Sequence, residues 1–310
     1  LIEMDGKNSV VTQAGALQWS AGSIEATTGL KGAGDLFKKM VRGSVTNETA
    51  IKPEYTGTGQ LVLEPTTKYL VLLDVDLTEY NKLNQAFMGY FSQLNYEFDV
   101  AMRCVKDAIY RNKVAKKLGL TAKELAGIVY GWNNALRGRK MFVQSHPKKI
   151  EIARKILDAR TDKKCVTFSA TIKDAEKIGR GYVLHSKQSK KKNKEILDLF
   201  NEEETGVLNS SKAVDVGVDV KGLSVGIILS TDSSKIRKTQ RNGRICRFEE
   251  GKVAELFTLV IKGTQEWNWF QNSATTNYTV INEQQLEQIL LGEEIETRTR
   301  ENVEDKKYRF

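Results

Sequence analysis

The pattern of apolar and polar positions changes character near residue 76. Before that point, short apolar runs alternate with turn signals, and glycines are frequent. Runs of this kind are typical of strands, and we predict four of them, at 9–12, 16–19, 60–63 and 68–75. The glycine-rich stretch 29–34 is typical of a flexible turn. We therefore expect residues 1–76 to form a small β-rich unit.

The next part of the chain has a helical pattern. Apolar residues recur at three- and four-residue spacings from 77 to 111, which predicts one face of a helix. The string TAKE at 121–124 is typical of a capping box and predicts a helix to about residue 137. Pro147 predicts a break in the helical pattern, and a further helix is predicted at 150–157. Residues 77–150 are therefore predicted to be a helical segment.

From residue 164 onward, strands and helices are predicted to alternate. The predicted strands lie at 164–170, 182–186, 206–211, 225–230 and 255–260, with helices at 173–179 and 189–200 between them. Asn282 is expected to cap a last helix that ends near Gly292. Strands separated by helices of this length predict a parallel sheet that is covered on both faces, so residues 151–310 form an α/β lobe.

Composition narrows the classes of function. The 310 residues contain 48 lysines and arginines against 39 acidic residues, and the net charge of +9 favours an anionic partner such as nucleic acid. No apolar run of about 18 residues occurs, so we expect no membrane span. No signal peptide is evident after Leu1, and we expect the protein in the cytoplasm.

The residues that commonly bind metals are few and scattered. Cys104, Cys165 and Cys246 are too far apart for a zinc knuckle or a disulfide framework. We expect buried free thiols in a reducing cytosol. Two histidines are too few for a histidine-based site, so no metal site is predicted.

The string QRNGRICR at 240–247 is the most specific in the chain. Arg244 and Arg247 are three residues apart, so on a helix they lie on one face. Guanidinium groups stay charged and bind phosphate oxygens bidentately, as the transition state of phosphoryl transfer requires. The alternative is an exposed basic helix that makes surface ion pairs.

Two strand ends upstream carry small polar residues. The loop 210–223 contains glycine and serines that let a phosphate approach, and Asp219 could accept a hydrogen bond from a ribose or an arginine. Ser169 and Thr171 end the strand at 164–170, where hydroxyls beside a helix N-terminus can hold an anion. Each segment could equally be an ordinary loop with structural polar residues.

Two further features each allow two interpretations. The lysine-rich run 187–194 lines a nucleic-acid track or is the solvated start of a helix. Trp267 and Trp269 stack on a base or pack at the edge of a sheet.

Together these strings resemble a known family. KCVTFSA, SSKAVDVGVD and QRNGRICR are similar, in order and spacing, to motifs four, five and six of the C-terminal lobe of superfamily-two helicases. The resemblance covers about residues 77–310, and a phage-type DNA helicase subgroup has a similar helical stretch ahead of this lobe. It implies a RecA-like parallel sheet with flanking helices, preceded by the helical segment and the β-rich unit.

The resemblance also implies roles for individual residues. Arg244 and Arg247 would be arginine fingers that reach an ATP bound to the other lobe. The cofactor side of the site would include Gln240, Asp219 near the ribose, and Gly217. The residues that would contact the nucleic acid, expected to be DNA, are Ser169, Thr171, Lys187, Ser210 and Ser211.

One departure from the family concerns the ATP-binding lobe. No G-x-x-x-x-G-K-[ST] loop occurs, since GLKGAG at 29–34 lacks the Gly-Lys-Ser/Thr ending. No Asp-Glu pair suited to magnesium follows a strand. We therefore expect ATP and Mg²⁺ to bind mainly to a first lobe supplied in cis or in trans, and no turnover by this chain alone.

The N-terminal part resembles a different family. SVVTQAGALQWSAGSIEATTGLKG, KPEYTGTGQLVLEP and KYLVLLDV, within residues 4–76, are similar to bacterial members of the altered-inheritance-of-mitochondria-24 family, which are β-sandwich-like. Two hypotheses follow. The chain is part of an ATP-dependent helicase or translocase in a bacterial or phage-infected cell, or it is a non-catalytic, β-sandwich-containing interaction protein. A stand-alone phosphate-binding enzyme ranks last, because no nucleophile–base pair supports it.

Overall fold

Two β-sheets organise the described part of the chain. The structure is a computed structural model that describes residues 2–11, 17–27, 54–63, 66–211, 220, 222–231, 254–273 and 278–295. One sheet is small and lies near the N-terminus, and the other has seven strands.

The N-terminal sheet is antiparallel. It contains β1 (Ile2–Asp5), β2 (Val10–Val11), β3 (Leu17–Thr27) and β4 (Glu54–Leu63). The central strand is β4, which pairs with each of the other three. Gly57 has a φ of 119°, and a Cβ atom there would clash with the backbone of Ser23 on β3. Only glycine therefore lets the two strands approach this closely.

The seven-stranded sheet is parallel throughout. Its strands are β5 (Thr66–Leu73), β6 (Lys164–Ser169), β7 (Tyr182–His185), β8 (Gly206–Ser211), β9 (Val225–Ile228), β10 (Ala254–Ile261) and β11 (Thr279–Asn282). The spatial order is β11-β5-β10-β9-β6-β8-β7. All residues of β6 and β9 are buried, as expected when helices cover both faces. This sheet with its flanking helices and the small N-terminal sheet confirms the predicted fold class.

The placement of β5 corrects one prediction. We grouped 68–75 with the N-terminal β-rich unit, but β5 pairs with β10 along its whole length, from Thr66 beside Ala254 to Leu73 beside Ile261. Leu70, Val71 and Leu73 are fully buried. A continuous apolar run suits a strand covered on both faces, but its pattern does not identify the partner strand. The boundaries at 76 and 150 stay predictions.

The helical segment contains more helices than predicted. Its helices are α1 (Thr78–Ser92), α2 (Phe98–Lys106), α3 (Ala108–Lys117) and α4 (Ala122–Gln144). The single helix predicted over 77–111 is wrong, because Asn95 and Tyr96 have positive φ values of 54° and 59°. Asp107 then has an extended backbone and caps α3 by accepting a hydrogen bond from the Tyr110 amide.

Helix α4 is the longest in this segment and packs against α1. The predicted capping box of Thr121 and Glu124 is confirmed, although α4 runs seven residues beyond the predicted end at 137. Gly131 and Gly138, seven residues apart on one face, lie close to the side chains of Tyr90 and Leu83 on α1. Fully buried Trp132 lies in the hydrophobic cluster that the four helices share.

The remaining helices flank the parallel sheet. They are α5 (Pro147–Asp158), α6 (Ile172–Lys177), α7 (Lys190–Glu202), α8 (Gln265–Ser273) and α9 (Glu283–Leu290). Pro147 lies in the first turn of α5, and Asn282 caps α9 as predicted. Trp267 lies on α8 and packs against a cluster that includes Leu70 and Phe270. None of the helices in the described ranges combines the length and apolar character needed to cross a bilayer.

Two cysteines are buried and are expected to react slowly. Burial raises the pKa of Cys165 to about 12 and also raises the pKa of Cys104. The thiolate is the nucleophile, and a raised pKa leaves little of it at about pH 8. In a Cys246→Ser variant, we therefore expect both remaining thiols to react with an aromatic disulfide reagent at least about tenfold more slowly in the native protein than in denaturant. Equal native and denatured rates would contradict this burial.

Candidate nucleic-acid interface

Several predicted site residues meet at one edge of the parallel sheet. Since β6 and β8 are parallel neighbours, their carboxyl ends lie together, and Ser169 is paired in register with Ser211. Ligands of open α/β sheets bind outside the carboxyl ends of the strands. The structure therefore brings together Ser169, Ser210 and Ser211, although about 40 residues of sequence separate the first from the other two.

The side chains of these serines face protein and not solvent. Ser169 and Ser210 are each 1% exposed, and Ser211 is 3% exposed. The hydroxyl of Ser169 has no hydrogen-bond partner among the described residues. The exposed fractions refer to the whole residues, so the backbone groups of the three serines are covered as well.

Thr171 has a structural role, which the sequence around it could have indicated. Its hydroxyl accepts a hydrogen bond from the Asp174 amide at 3.1 Å and donates one to the Asp174 carboxylate at 2.6 Å. Thr171 is therefore the N-cap of α6, as the spacing T-x-x-D suggests. The same carboxylate accepts a 2.6 Å hydrogen bond from Ser145, just past the end of α4.

Lys187 is exposed in the turn after β7, at the same edge of the sheet. Helix α7 follows, with Ser189 as its N-cap, and exposed lysines continue along its first turn. One of them, Lys191, forms a 4.0 Å pair with Glu195. This arrangement is compatible with both a nucleic-acid track and a solvated helix start.

An ion pair that the sequence did not reveal lies buried beside this edge. The ammonium of Lys149 on α5 donates to both carboxylate oxygens of Glu266 at 2.6 and 2.8 Å and to the carbonyl of Leu229 at 2.8 Å. The side chains of Lys149 and Glu266 are 1% and 0% exposed. Burial lowers the pKa of Lys149, and the charge of Glu266 opposes that shift. Burial and the nearby Lys149 charge also lower the pKa of His146.

The same carboxylate orders the chain just after β9. Glu266 accepts hydrogen bonds from the Thr231 amide at 3.4 Å, the Thr231 hydroxyl at 3.1 Å and the Ile261 amide at 3.0 Å. Gln144 at the end of α4 donates to the Thr231 carbonyl at 3.2 Å. Thr231 is thus held through its amide, carbonyl and hydroxyl groups.

Five predicted site residues lie outside the described residues: Gly217, Asp219, Gln240, Arg244 and Arg247. The flanking residues Ser211 and Thr231 both lie at or beyond the carboxyl ends of their strands. Asp174 and Glu266, two described carboxylates at this edge, are engaged with protein donors. These two side chains therefore do not form a preformed Mg²⁺ site.

Two families match different parts of the chain. The profile of the helicase conserved C-terminal domain matches residues 148–249. This part of the chain is therefore similar to helicase C-terminal domains. The matched range contains the strand ends at Ser169 and Ser211. The profile of the mitochondrial biogenesis AIM24 family matches residues 1–127, further than the resemblance at 4–76, and includes α1, α2 and α3. The phage-type assignment stays a prediction.

One curated relative is the protein MJ1505 of Methanocaldococcus jannaschii, whose name assigns it to the ATP-dependent RNA helicases. It is 23% identical over 236 residues, which cover 65% of this chain and 30% of the relative. The chain therefore spans less than a third of the length of that protein.

Two solved structures are also similar in part. Dbp5 of S. cerevisiae bound to RNA and ADP BeF3 is 18% identical, covers 46% of this chain and 41% of its own, and has a TM-score of 0.40. The C-terminal part of the Fun30 ATPase domain is 14% identical, and the similarity covers 68% of this chain and 91% of that one, with a TM-score of 0.44. Since both scores are below 0.5, the strand order remains the basis of the fold assignment.

Proposed function

We propose that this chain is part of an ATP-dependent nucleic-acid helicase or translocase. The observation that carries the proposal is the match to the helicase C-terminal domain at 148–249, where two motif-bearing strands end side by side. A first lobe, joined to this chain or supplied by another, binds ATP and Mg²⁺. This chain closes the nucleotide site and forms part of the track.

Arg244 and Arg247 are the proposed arginine fingers. They would neutralise the charge that develops on the transferred phosphoryl group. Gln240, Asp219 and Gly217 would complete the nucleotide side of the site, with Asp219 beside the ribose. The order of the motifs in the sequence supports these roles.

The track would cross the carboxyl edge of the sheet. Lys187 is exposed there and supplies a cation for the phosphate backbone. Ser169, Ser210 and Ser211 would contact the nucleic-acid backbone once the residues that cover them move aside. Thr171 would contribute through its backbone, since its hydroxyl caps α6. DNA is the first candidate from the phage-type resemblance, and the name of the M. jannaschii relative makes RNA the second.

Nucleic-acid binding and ATP hydrolysis by the 310-residue chain test this proposal. We expect no turnover, together with binding of single-stranded DNA that weakens as salt rises. Replacing Lys187, Lys190 and Lys191 with glutamine should make the negative slope of log affinity against log salt less steep by about 2, since each lost phosphate contact removes about 0.7. Tighter binding of RNA than of DNA would favour the second candidate.

A charge-matched variant controls for net charge. Lys7, Lys155 and Lys163 are exposed; Lys7 lies in the N-terminal unit, and Lys163 just before the amino end of β6. Their replacement by glutamine should leave the affinity nearly unchanged. No binding of any nucleic acid at low salt would contradict the proposal, and vigorous turnover would contradict the need for a second lobe.

The AIM24 match at residues 1–127 supports a second candidate function. The chain would then be a non-catalytic interaction protein that uses the α/β lobe as a binding platform. Stable homo-oligomers without nucleic-acid affinity at moderate salt would favour this candidate over the first.

A further inference from the structure

The net positive charge of the chain comes largely from one segment. Residues 98–144, which contain α2, α3 and α4, carry ten lysines and arginines against three acidic residues. That surplus of seven is most of the net charge of +9 for the whole chain. The α/β lobe is therefore not the main source of the basic character.

The cations of α3 form one exposed face. Lys113, Lys116 and Lys117 are exposed and lie at three- and four-residue spacings, opposite the buried Ala115. On α2, exposed Arg103 stacks on the Tyr110 ring of α3, with its guanidinium carbon 4.1 Å from the ring centroid. We call Arg103, Lys106, Lys113, Lys116 and Lys117 the basic face.

Few acidic residues lie near this face. Of the three in 98–144, Asp107 caps α3, Glu124 is used in the capping box of α4, and Asp99 lies one turn before Arg103 on α2. Within the described part of the chain, no ion pair involves a residue of the basic face. The helix dipole favours cations in the last turns, but it does not explain why exposed acidic residues are so few. Like charges at these spacings repel, so the face is suited to a polyanion.

A contact between Arg111 and Tyr130 positions α3, which carries most of the basic face. Tyr130 on α4 is 46% exposed, and the guanidinium carbon of Arg111 on α3 lies 5.2 Å from its ring centroid. Arg111 also donates to the Tyr130 hydroxyl at 3.2 Å and to the Cys104 carbonyl at 2.8 Å, which ties α3 to α4 and to α2. Since each residue of an α-helix turns by about 100°, Arg111 lies on the Ala115 side of α3, opposite Lys113, so this contact leaves the basic face free.

We propose that the basic face forms a second nucleic-acid-binding surface on the helical segment. It deepens the proposed function, on which it rests, by adding contacts far from the strand ends. Helix α4 connects the two places, since Gln144 and Ser145 at its end bond to Thr231 and Asp174 at the carboxyl edge. Tyr130 lies 14 residues before Gln144 on α4, which is about 20 Å along the helix axis.

That separation predicts that the affinity depends on the length of the bound strand. Each strand of B-form DNA advances about 3.4 Å per nucleotide, so at most about six further nucleotides are needed to reach from the sheet edge to the basic face. A strand of about 8 nucleotides would bind at one place, whereas a strand of about 24 nucleotides would engage both.

The test compares three variants of the full chain with wild type. The basic-face variant carries Lys113→Gln, Lys116→Gln and Lys117→Gln, and its matched control carries Lys7→Gln, Lys155→Gln and Lys163→Gln. The third is the Lys187, Lys190 and Lys191 variant described above. Fluorescence anisotropy with labelled DNA and RNA strands of about 8 and about 24 nucleotides gives affinity against salt. Because the substituted side chains are exposed, thermal unfolding should be unchanged.

We expect the basic-face variant to bind the long strand at least about tenfold more weakly than wild type does, and its negative slope of log affinity against log salt to be less steep by about 2. It should also lose most of the difference in affinity between the long and the short strand. If it matches the control while the Lys187 variant loses affinity, the second surface is wrong and the proposed function stands. If wild type binds neither strand at low salt, both are wrong.

Discussion

Replacing Arg244 with alanine is expected to lower nucleic-acid-stimulated ATP hydrolysis by about 10³- to 10⁵-fold in a protein that contains the ATP-binding lobe. The guanidinium would stabilise charge that appears only in the transition state. The loss should therefore fall on kcat, while nucleotide affinity changes little. Steady-state hydrolysis at saturating nucleic acid, with a separate titration of nucleotide binding, measures both.

Two further variants make this result specific. Arg244→Lys keeps a charge but loses the bidentate fork, so most of the loss should remain. Arg180 serves as a control, because it is a partly exposed arginine whose guanidinium pairs with Asp158 at 2.7 Å. Arg180→Ala should leave the rate unchanged. An Arg244→Ala enzyme with the wild-type rate would remove the arginine-finger assignment.

Replacing Lys149 with alanine is expected to lower the free energy of unfolding by about 3–5 kcal/mol. The substitution leaves the Glu266 carboxylate buried without its counter-charge, at a position where both side chains are at most 1% exposed. It also removes the hydrogen bond to the Leu229 carbonyl. Urea unfolding followed by tryptophan fluorescence measures the change.

A double variant separates charge imbalance from lost packing. In Lys149→Met with Glu266→Gln, no charge remains, and the side-chain carbonyl of the introduced glutamine can still accept from one of the backbone amides that now bond to Glu266. Much of the stability should return relative to either single variant. Lys148, the next residue, lies on the surface and pairs with Glu283 at 3.0 Å, so Lys148→Ala should cost at most about 1 kcal/mol. Equal losses for Lys148→Ala and Lys149→Ala would contradict the importance of the buried pair.

Sequence reasoning succeeded where the signal is local. The capping boxes at Thr121 and Asn282 are confirmed, because both partners of each box lie within one helical turn. The alternation of strands and helices after residue 164 likewise predicted the parallel sheet. The ordered strings at 164–170 and 210–219 indicated a similarity to helicase C-terminal domains, and the family match at 148–249 agrees with it.

The sequence did not predict the features that depend on long-range pairing or on local backbone geometry. The apolar pattern over 77–111 persists across breaks, so it did not reveal the left-handed Asn95 and Tyr96 that separate α1 from α2. The apolar run of β5 does not indicate whether β4 or β10 is its partner. Lys149 and Glu266 are 117 residues apart in sequence, and each alone resembles an ordinary surface residue.

The sequence by itself therefore determined the fold class, the helix caps and the order of the helicase motifs, because periodicity, capping and motif spacing act over a few residues at a time. Only the tertiary structure decided that β5 joins the parallel sheet and that a buried ion pair holds Thr231. It also showed that the serines at the strand ends are covered and that the lysines of α3 form one uncompensated face. Those features depend on which distant segments meet, and the free energy of burial and of charge pairing is set by those contacts and not by neighbours along the chain.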